Sequence, residues 1–429
     1  MTHGTDLMTH SRLHLRPDPA RTVIRPFDVG DPEGYQGPSR AQKIAQRVIN
    51  MEEGALQAEI RRVIDSLSER HRDVEAVMRR RFEDMKNLAS CGGVDPDRAL
   101  LIGAYFSEEY SFESAALFNP SIALAEDQST APEGGINFVL SLRGIGEGHL
   151  SSVTFRLGSW DPANGFQVGK PSKTAVAPRI QKDMSKDDGS YTRITFEGSK
   201  DPTESVLFPV TPSQQRGIED LRLTRFVEDD GRVRMLGTYT AFNGSVARSE
   251  LVEAVDYRAF DLFAMTGAAA ASKGMALFPR RIGGKYAMLS RHDNEHLFYL
   301  TSDELTHWDG GERMFGPKMF WEFVQVGNCG APIELDEGWL VITHGVGSVR
   351  NYCIGACLLD LDDPTKVIKR MQLPLVHPSP KERDGYVPNV VYSCGALVHD
   401  RTLLLPYGVA DNFTSFASVA VDDLLAAMK

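Results

Sequence analysis

The chain has 429 residues, 42% of them hydrophobic and 24% charged, with a formal net charge of -11. That length suits one large fold with an appendage, and that composition can bury an extensive core, which excludes a disordered scaffold. The acidic balance argues against sequence-independent nucleic-acid binding, which needs clustered cations, but leaves room for an anionic small ligand held by a few local ones.

The opening stretch, MTHGTDLMTHSRLHLRPDP, has no apolar signal core, and no apolar run in the chain is long enough to span a membrane. The five cysteines (Cys91, Cys329, Cys353, Cys357 and Cys394) form no CxxC pair and no Cys/His cluster with zinc spacing. They read as reduced, mostly buried thiols, and the expected setting is cytoplasmic, without membrane or nucleic-acid partners.

Residues 1–38, rich in Pro, Arg and Asp, read as an extended arm. Residues 39–98 read as a helical extension. Ser39 can cap a helix, and apolar residues follow at helical spacing: Ile44, Val48, Met51, Leu56, Ile60, Val63, Leu67, Val74, Val77, Phe82 and Met85. One or two long amphipathic helices are expected, ended by Gly92, Gly93 and Pro96. Their apolar stripe must pack on the rest of the chain or on a second copy, so a homo-oligomer through these helices is one expectation.

Residues 99–429 change to short β-like runs between Gly, Asn, Asp and Pro turns. Examples are Ile136–Leu142, Ser152–Leu157, Arg232–Tyr239, Tyr286–Ser290, Trp339–Thr343 and Thr402–Tyr407. This is an all-β texture; a sandwich, a barrel and a propeller all fit it.

Four constellations can carry chemistry. In Arg216-Gly-Ile-Glu-Asp-Leu-Arg222, adjacent acids stand between arginines at a strand mouth, where a carboxyl can be tuned for general acid work. Taken alone, the segment reads more simply as an acidic turn with surface salt bridges. Lys273, after Ser272, and Arg291, after the run Tyr286–Ser290, flank apolar strands and can hold an oxyanion if folding unites them. His344 ends the apolar run in GWLVITHGV and can donate to an anion or shuttle a proton. Glu382, Asn389 and Asp411 lie at turns suited to sugar hydroxyls. Arg143-Gly-Ile-Gly-Glu-Gly148 is glycine-rich but lacks the Gly-Lys-Ser/Thr ending of a phosphate-binding loop, so no nucleotide is expected.

In this order the segments resemble glycoside hydrolase family 130, the mannoside phosphorylase and mannosidase family, from about Phe112 onward. The likeness is strongest in GWLVITHGV, GACLLDLDDPTKVI, GYVPNVVYSCGAL and LPYGVAD. It implies a five-bladed β-propeller with its site in the central cavity. The family's Glu/Tyr-Asp-Pro-Arg motif matches Glu219, Asp220, Leu221 and Arg222, with leucine where proline is usual. Asp220 then takes the general acid role, acting in phosphorylases through the sugar's 3-hydroxyl. Lys273, Arg291 and His344 match phosphate-binding cations. Gln325 stands where the family commonly has lysine and removes one cation. Asn119 and Arg143 match positions lining the sugar subsite, and Glu382, Asn389 and Asp411 match positions near the cavity.

The resemblance implies no metal and no organic cofactor. Its partners are an oligosaccharide or mannoside and inorganic phosphate, giving inverting phosphorolysis to α-mannose 1-phosphate. The alternatives are an inverting β-mannosidase, with Asp293, Glu295 or Glu382 activating water, and a non-catalytic sugar-binding propeller.

Overall fold

The computed structural model describes residues 7–383 and 385–429. The protein is mostly β, with five α-helices among the described residues. Four of them fill the segment expected to be helical. Ser39 opens Arg40–Ile49 with a capping box: its hydroxyl accepts from the Gln42 N–H, and the Gln42 side chain accepts from the Ser39 N–H. Glu53–Ser68, Val74–Met85 and Pro96–Tyr105 follow, so the segment is four short helices rather than one or two long ones.

Pro96, expected to stop the helical region, instead starts its last helix. Asp95 accepts from the N–H groups of Asp97 and Arg98, and a proline in the first turn lacks only an N–H that would have had no partner. That helix carries past residue 98. Part of the apolar stripe is covered from within, because Ala41, Val48, Leu56, Ile60, Met78, Phe82, Leu101 and Phe106 bury against one another in one cluster. Val29 and Ile24 of the arm pack on this cluster, while Ile44, Met51, Val63, Leu67, Val77 and Met85 stay partly exposed.

The N-terminal arm is built into the sheets. Thr9–Leu15 pairs antiparallel with Phe413–Ala420, and Thr22–Pro26 with Ser107–Ser111. Between these strands Arg21 is buried. It donates to Glu113 Oε2 (3.1 Å), Thr154 Oγ1 (3.2 Å) and the Thr203 carbonyl (2.5 Å), while Arg156 donates to the other Glu113 oxygen (2.7 Å).

The remaining strands form successive antiparallel groups. Ala116–Leu124, Ile136–Ile145, Ser151–Asp161 and Gly165–Val168 make the first. Gly217–Val227, Val233–Phe242, Ala247–Ala254 and Ala259–Ala264 make the next, extended by Tyr191–Thr195 and Arg179–Ile180. One parallel pair, Gly217 with Ser151, joins these groups into a ten-stranded sheet. Separate sheets then run from Ala276–Leu277 to Glu312–Phe315, from Gln325–Asn328 to Val367–Arg370, and from Val391–Tyr392 to Phe413–Ala420 with Thr9–Leu15 on its edge.

Apolar layers join each group to the next. Val139 and Phe155 meet Leu223 and Tyr239, and Phe226 and Leu251 meet Met288 and Leu300. Phe278 and Leu289 meet Trp339 and Cys357, and Leu340 and Ile354 meet Leu405 and Ala417. Leu404 and Phe416 then meet Leu117 and Phe138, so the last group packs on the first. Each fully buried side chain of this size contributes about 1.5–3 kcal/mol, so these layers dominate the fold's cohesion. Among the described residues no sheet closes on itself, which sets aside a barrel. All five cysteines are buried and unpaired. No described helix is long and apolar enough to cross a membrane.

Candidate active site

Three polar residues stand where strands lose their register or turn. Asn119 lies in the irregularity between Phe118 and Ser121, and Asp220 in the one between Glu219 and Arg222. Asp411 lies in the turn joining Thr402–Val409 to Phe413–Ala420. All three have positive φ (47°, 53° and 50°), a region that Asn and Asp enter at lower cost than most residues. A bulge takes a side chain out of the strand's alternation and re-aims it.

The re-aimed groups converge. Asn119 Nδ2 donates to Asp220 Oδ1 at 2.8 Å, and Arg143 Nη1 reaches the same oxygen at 3.3 Å. Arg143 Nη2 donates to Glu219 Oε1 at 2.7 Å, and its Nε to Ser151 Oγ at 2.7 Å. One guanidinium thus serves both adjacent acids. Arg222 is buried behind them, donating from Nη1 to the Asp220 carbonyl (3.2 Å) and from Nη2 to the Tyr392 hydroxyl (2.8 Å). Asn119 Oδ1 and the Nε atoms of Arg222 and Arg291 are buried without a hydrogen-bond partner. Such orphaned groups in one place mark a site that a polar ligand completes.

Charge is divided unevenly here. Burial pushes the Asp220 carboxyl up, but Arg143, Arg222, the Asn119 bond and Lys273 together outweigh it and hold the group below the usual aspartate range. Asp411 goes the other way. Burial raises it, and the charges of Asp220 and Glu219 add to that against Arg143 and Arg350, leaving it at about 6. Of the two aspartates, Asp411 is protonated first as pH falls.

Beside this cluster is a second polar group around His344 and Arg291. His344 Nδ1 lies 3.1 Å from the Asn328 carbonyl, and its Nε2 lies 3.2 Å from Gln325 Nε2. Burial, with Arg291 and Arg222 nearby, drives the imidazole well below its usual pKa. Burial beside these two arginines therefore favours the neutral imidazole in the free protein. The Gln325 amide is satisfied in the opposite orientation, where its oxygen accepts from Arg291 Nη1 (2.9 Å) and from a protonated His344 Nε2 (3.2 Å) and its nitrogen donates to the Asn294 carbonyl (3.3 Å). Gly274 and Gly327 make room for this packing. A Cβ on Gly274 (φ +95°) would stand 2.7 Å from Arg291 Nε, and one on Gly327 would stand 2.6 Å from both Arg291 Cδ and His344 Cε1.

Asn119, Arg143, Glu219, Asp220 and Arg222 are thus brought together. Lys273, Arg291 and His344 act on them or on one another through charge, and Gln325 joins His344. Asp411 belongs to the same field. Glu382 lines a cavity of about 370 Å³ with His10, His14, His377 and Lys381, and among the described residues no hydrogen bond or ion pair joins it to the Asp220 cluster. Asn389 contributes its backbone carbonyl to the Tyr352 N–H (2.9 Å). Asp293 is occupied by the Glu295 and His296 N–H groups and by His296 Nδ1 (2.6 Å), while the Glu295 side chain is exposed. Sequence reasoning missed Tyr392, Ser151, Asn328 and Arg350. Tyr392 lies inside the quoted GYVPNVVYSCGAL run, but no feature of that run separates it from its neighbours. Among the described residues, no group of three or more His, Cys, Asp or Glu is placed to hold a metal ion.

A sequence profile described as beta-1,4-mannooligosaccharide phosphorylase matches residues 166–429, more than half of the chain. The chain belongs to glycoside hydrolase family 130. A 1,2-beta-oligomannan phosphorylase of Thermoanaerobacter sp. (strain X514) is 32% identical over 250 residues, covering 57% of this chain and 80% of that protein. A beta-1,2-mannobiose phosphorylase of Listeria innocua is 30% identical over 269 residues, covering 58% and 73%. Among solved structures, the beta-1,2-mannobiose phosphorylase of Listeria innocua, in complex with beta-1,2-mannobiose, superposes with a TM-score of 0.51 at 24% identity, over 74% of this chain and 92% of that one. The family's solved members thus share this fold, while the helical segment precedes the profile-matched residues.

Proposed function

We propose that this family 130 protein is an inverting β-mannoside phosphorylase. The observation that carries the reading is the juxtaposition of Asp220, held by Asn119 and Arg143, with the pocket of Lys273, Arg291, His344 and Gln325. An oxygen of inorganic phosphate attacks the anomeric carbon from the face opposite the leaving group. The C1–O bond to the acceptor sugar breaks, its oxygen takes the proton from Asp220 by way of the 3-hydroxyl, and the products are α-mannose 1-phosphate and the shortened sugar. In the free protein Asp220 is ionised. A phosphate seated against Lys273 and Arg291 cancels part of the positive field that keeps it so and raises its proton affinity in the complex. The same anion favours the imidazolium form of His344, in which both ring nitrogens are donors.

Five blades are the architecture we infer. The support is five antiparallel groups in chain order, each sharing an apolar layer with the next and the last with the first. The hydrolase reading has less support: it needs a carboxylate to activate water, and Asp293 is bonded elsewhere, Glu295 is exposed and Glu382 lines another cavity.

The test follows sugar phosphate and free mannose separately, from short β-1,2- and β-1,4-mannosides with and without inorganic phosphate. Sugar phosphate forming only with phosphate present, and falling at least about 10²-fold in Asp220→Asn, is the expected result. Free mannose released at a rate indifferent to phosphate would sink the reading.

A further inference from the structure

The rim beside the anion pocket carries an apolar surface that the chemistry above does not use. Phe320 and Val349 are each 85% exposed, Val324 61% and Phe323 57%. Single exposed apolar side chains need no account, but a contiguous group of large ones does. These four lie on two neighbouring loops. The Phe320 and Phe323 rings are 5.0 Å apart at 61°. The Val324 N–H donates to the Val346 carbonyl (2.8 Å), and the turn after Val346 carries Val349. Gly347 lies between the two loops, where a Cβ would stand 3.0 Å from the Phe320 carbonyl oxygen.

Both loops run directly into the site. The residue after Val324 is Gln325, which meets His344, and the residue after Val349 is Arg350, whose charge acts on Asp411. Val349 is held at φ 55°, a left-handed conformation that a β-branched residue adopts only under constraint. A strained valine with its side chain in water gains nothing for the fold at that position.

We infer that this surface is a subsite for sugar units beyond the bond that is broken, on the reading that the protein is a mannoside phosphorylase. Pyranose rings present apolar C–H faces between their hydroxyls, and exposed phenyl rings without hydrogen-bonding groups suit those faces. A β-linked mannan chain leaving the cavity past Gln325 and Arg350 would lie across Phe320, Phe323 and Val349. The protein then prefers oligosaccharides to disaccharides, and the preference resides in this rim.

The experiment compares kcat/KM for a β-mannoside disaccharide and tetrasaccharide, in both linkage series, between wild type and Phe320→Ala/Phe323→Ala. The expected result is a drop of about tenfold on the tetrasaccharide, carried by KM, with the disaccharide unchanged within about twofold. An equal effect on both lengths, no effect on either, or dissociation of an oligomer by light scattering in the variant would overturn the inference; the last would assign the surface to a second copy. Titration of the tetrasaccharide, followed by tryptophan fluorescence from the neighbouring Trp321, reads the subsite without turnover. Tetrasaccharide binding about tenfold weaker in the variant supports the subsite even if wild type releases no sugar phosphate from any substrate, an outcome that would refute the phosphorylase reading alone. Equal binding refutes the subsite.

Discussion

Burial and the charges of Asp220 and Glu219 lift the Asp411 carboxyl from 3.8 to about 6. Between those values the native state holds this proton more tightly than the unfolded chain does. The group's favourable contribution is therefore complete below about pH 4 and is lost as pH rises through 6, an effect on the order of 3 kcal/mol. Asp411→Asn removes the titration. The difference in melting temperature, variant minus wild type, should increase from pH 4 to pH 6 and stay level above it; a constant difference across that range would show that Asp411 does not titrate there. This division of charge was not legible in the sequence. The motif around Glu219 and Asp220 and the turn at Asp411 were, and so was the grouping with Asn119 and Arg143. Which aspartate keeps its proton depends on one shared guanidinium, and which residue anchors Arg222 depends on Tyr392, 170 positions away. Neither has a local signature. The neutral state of His344 likewise follows from complete burial beside two arginines, which spacing does not reveal.

At the scale of elements, the buried arrangement of Arg21, Glu113 and Arg156 fixes the arm to the first strands of the β region. Glu113 is the acid between two guanidinium groups, and burial together with Arg156 lowers the pKa of Arg21 even with that acid in place. Glu113→Gln leaves two buried cations facing each other and should destabilise the protein by about 3–5 kcal/mol, read as a lower urea midpoint at an unchanged m-value. Loss of less than about 1 kcal/mol would show that the pair is solvated. The strands themselves were legible from alternation and turn residues, as was the helix start at Ser39. Pro96 was misread because a proline preceded by an aspartate fits a helix start as well as a stop. The ten-stranded sheet was hidden because Gly217 meets Ser151 across a long sequence interval.

Over the whole molecule, an early strand completes a late sheet: Thr9–Leu15 lies on Phe413–Ala420, with His14 bonded to Ser415 (2.8 Å). Deleting residues 1–16 exposes that edge and should lower the melting temperature while making the strands after Val391 the first site of protease cleavage. Cleavage beginning in the helices instead would place the weakest part of the molecule there. The same pairing orders events in time. His10 and its partner Tyr407 are 397 positions apart, so at roughly 5–20 residues per second translation separates them by about 20–80 s. During that interval the helices can already gather around their shared cluster, while the strand Thr9–Leu15 is an unmatched β-edge open to any passing strand. A ribosome-bound nascent chain is in this respect a different object from the folded enzyme, and Phe413–Ala420, once emerged, is the strand that silences Thr9–Leu15.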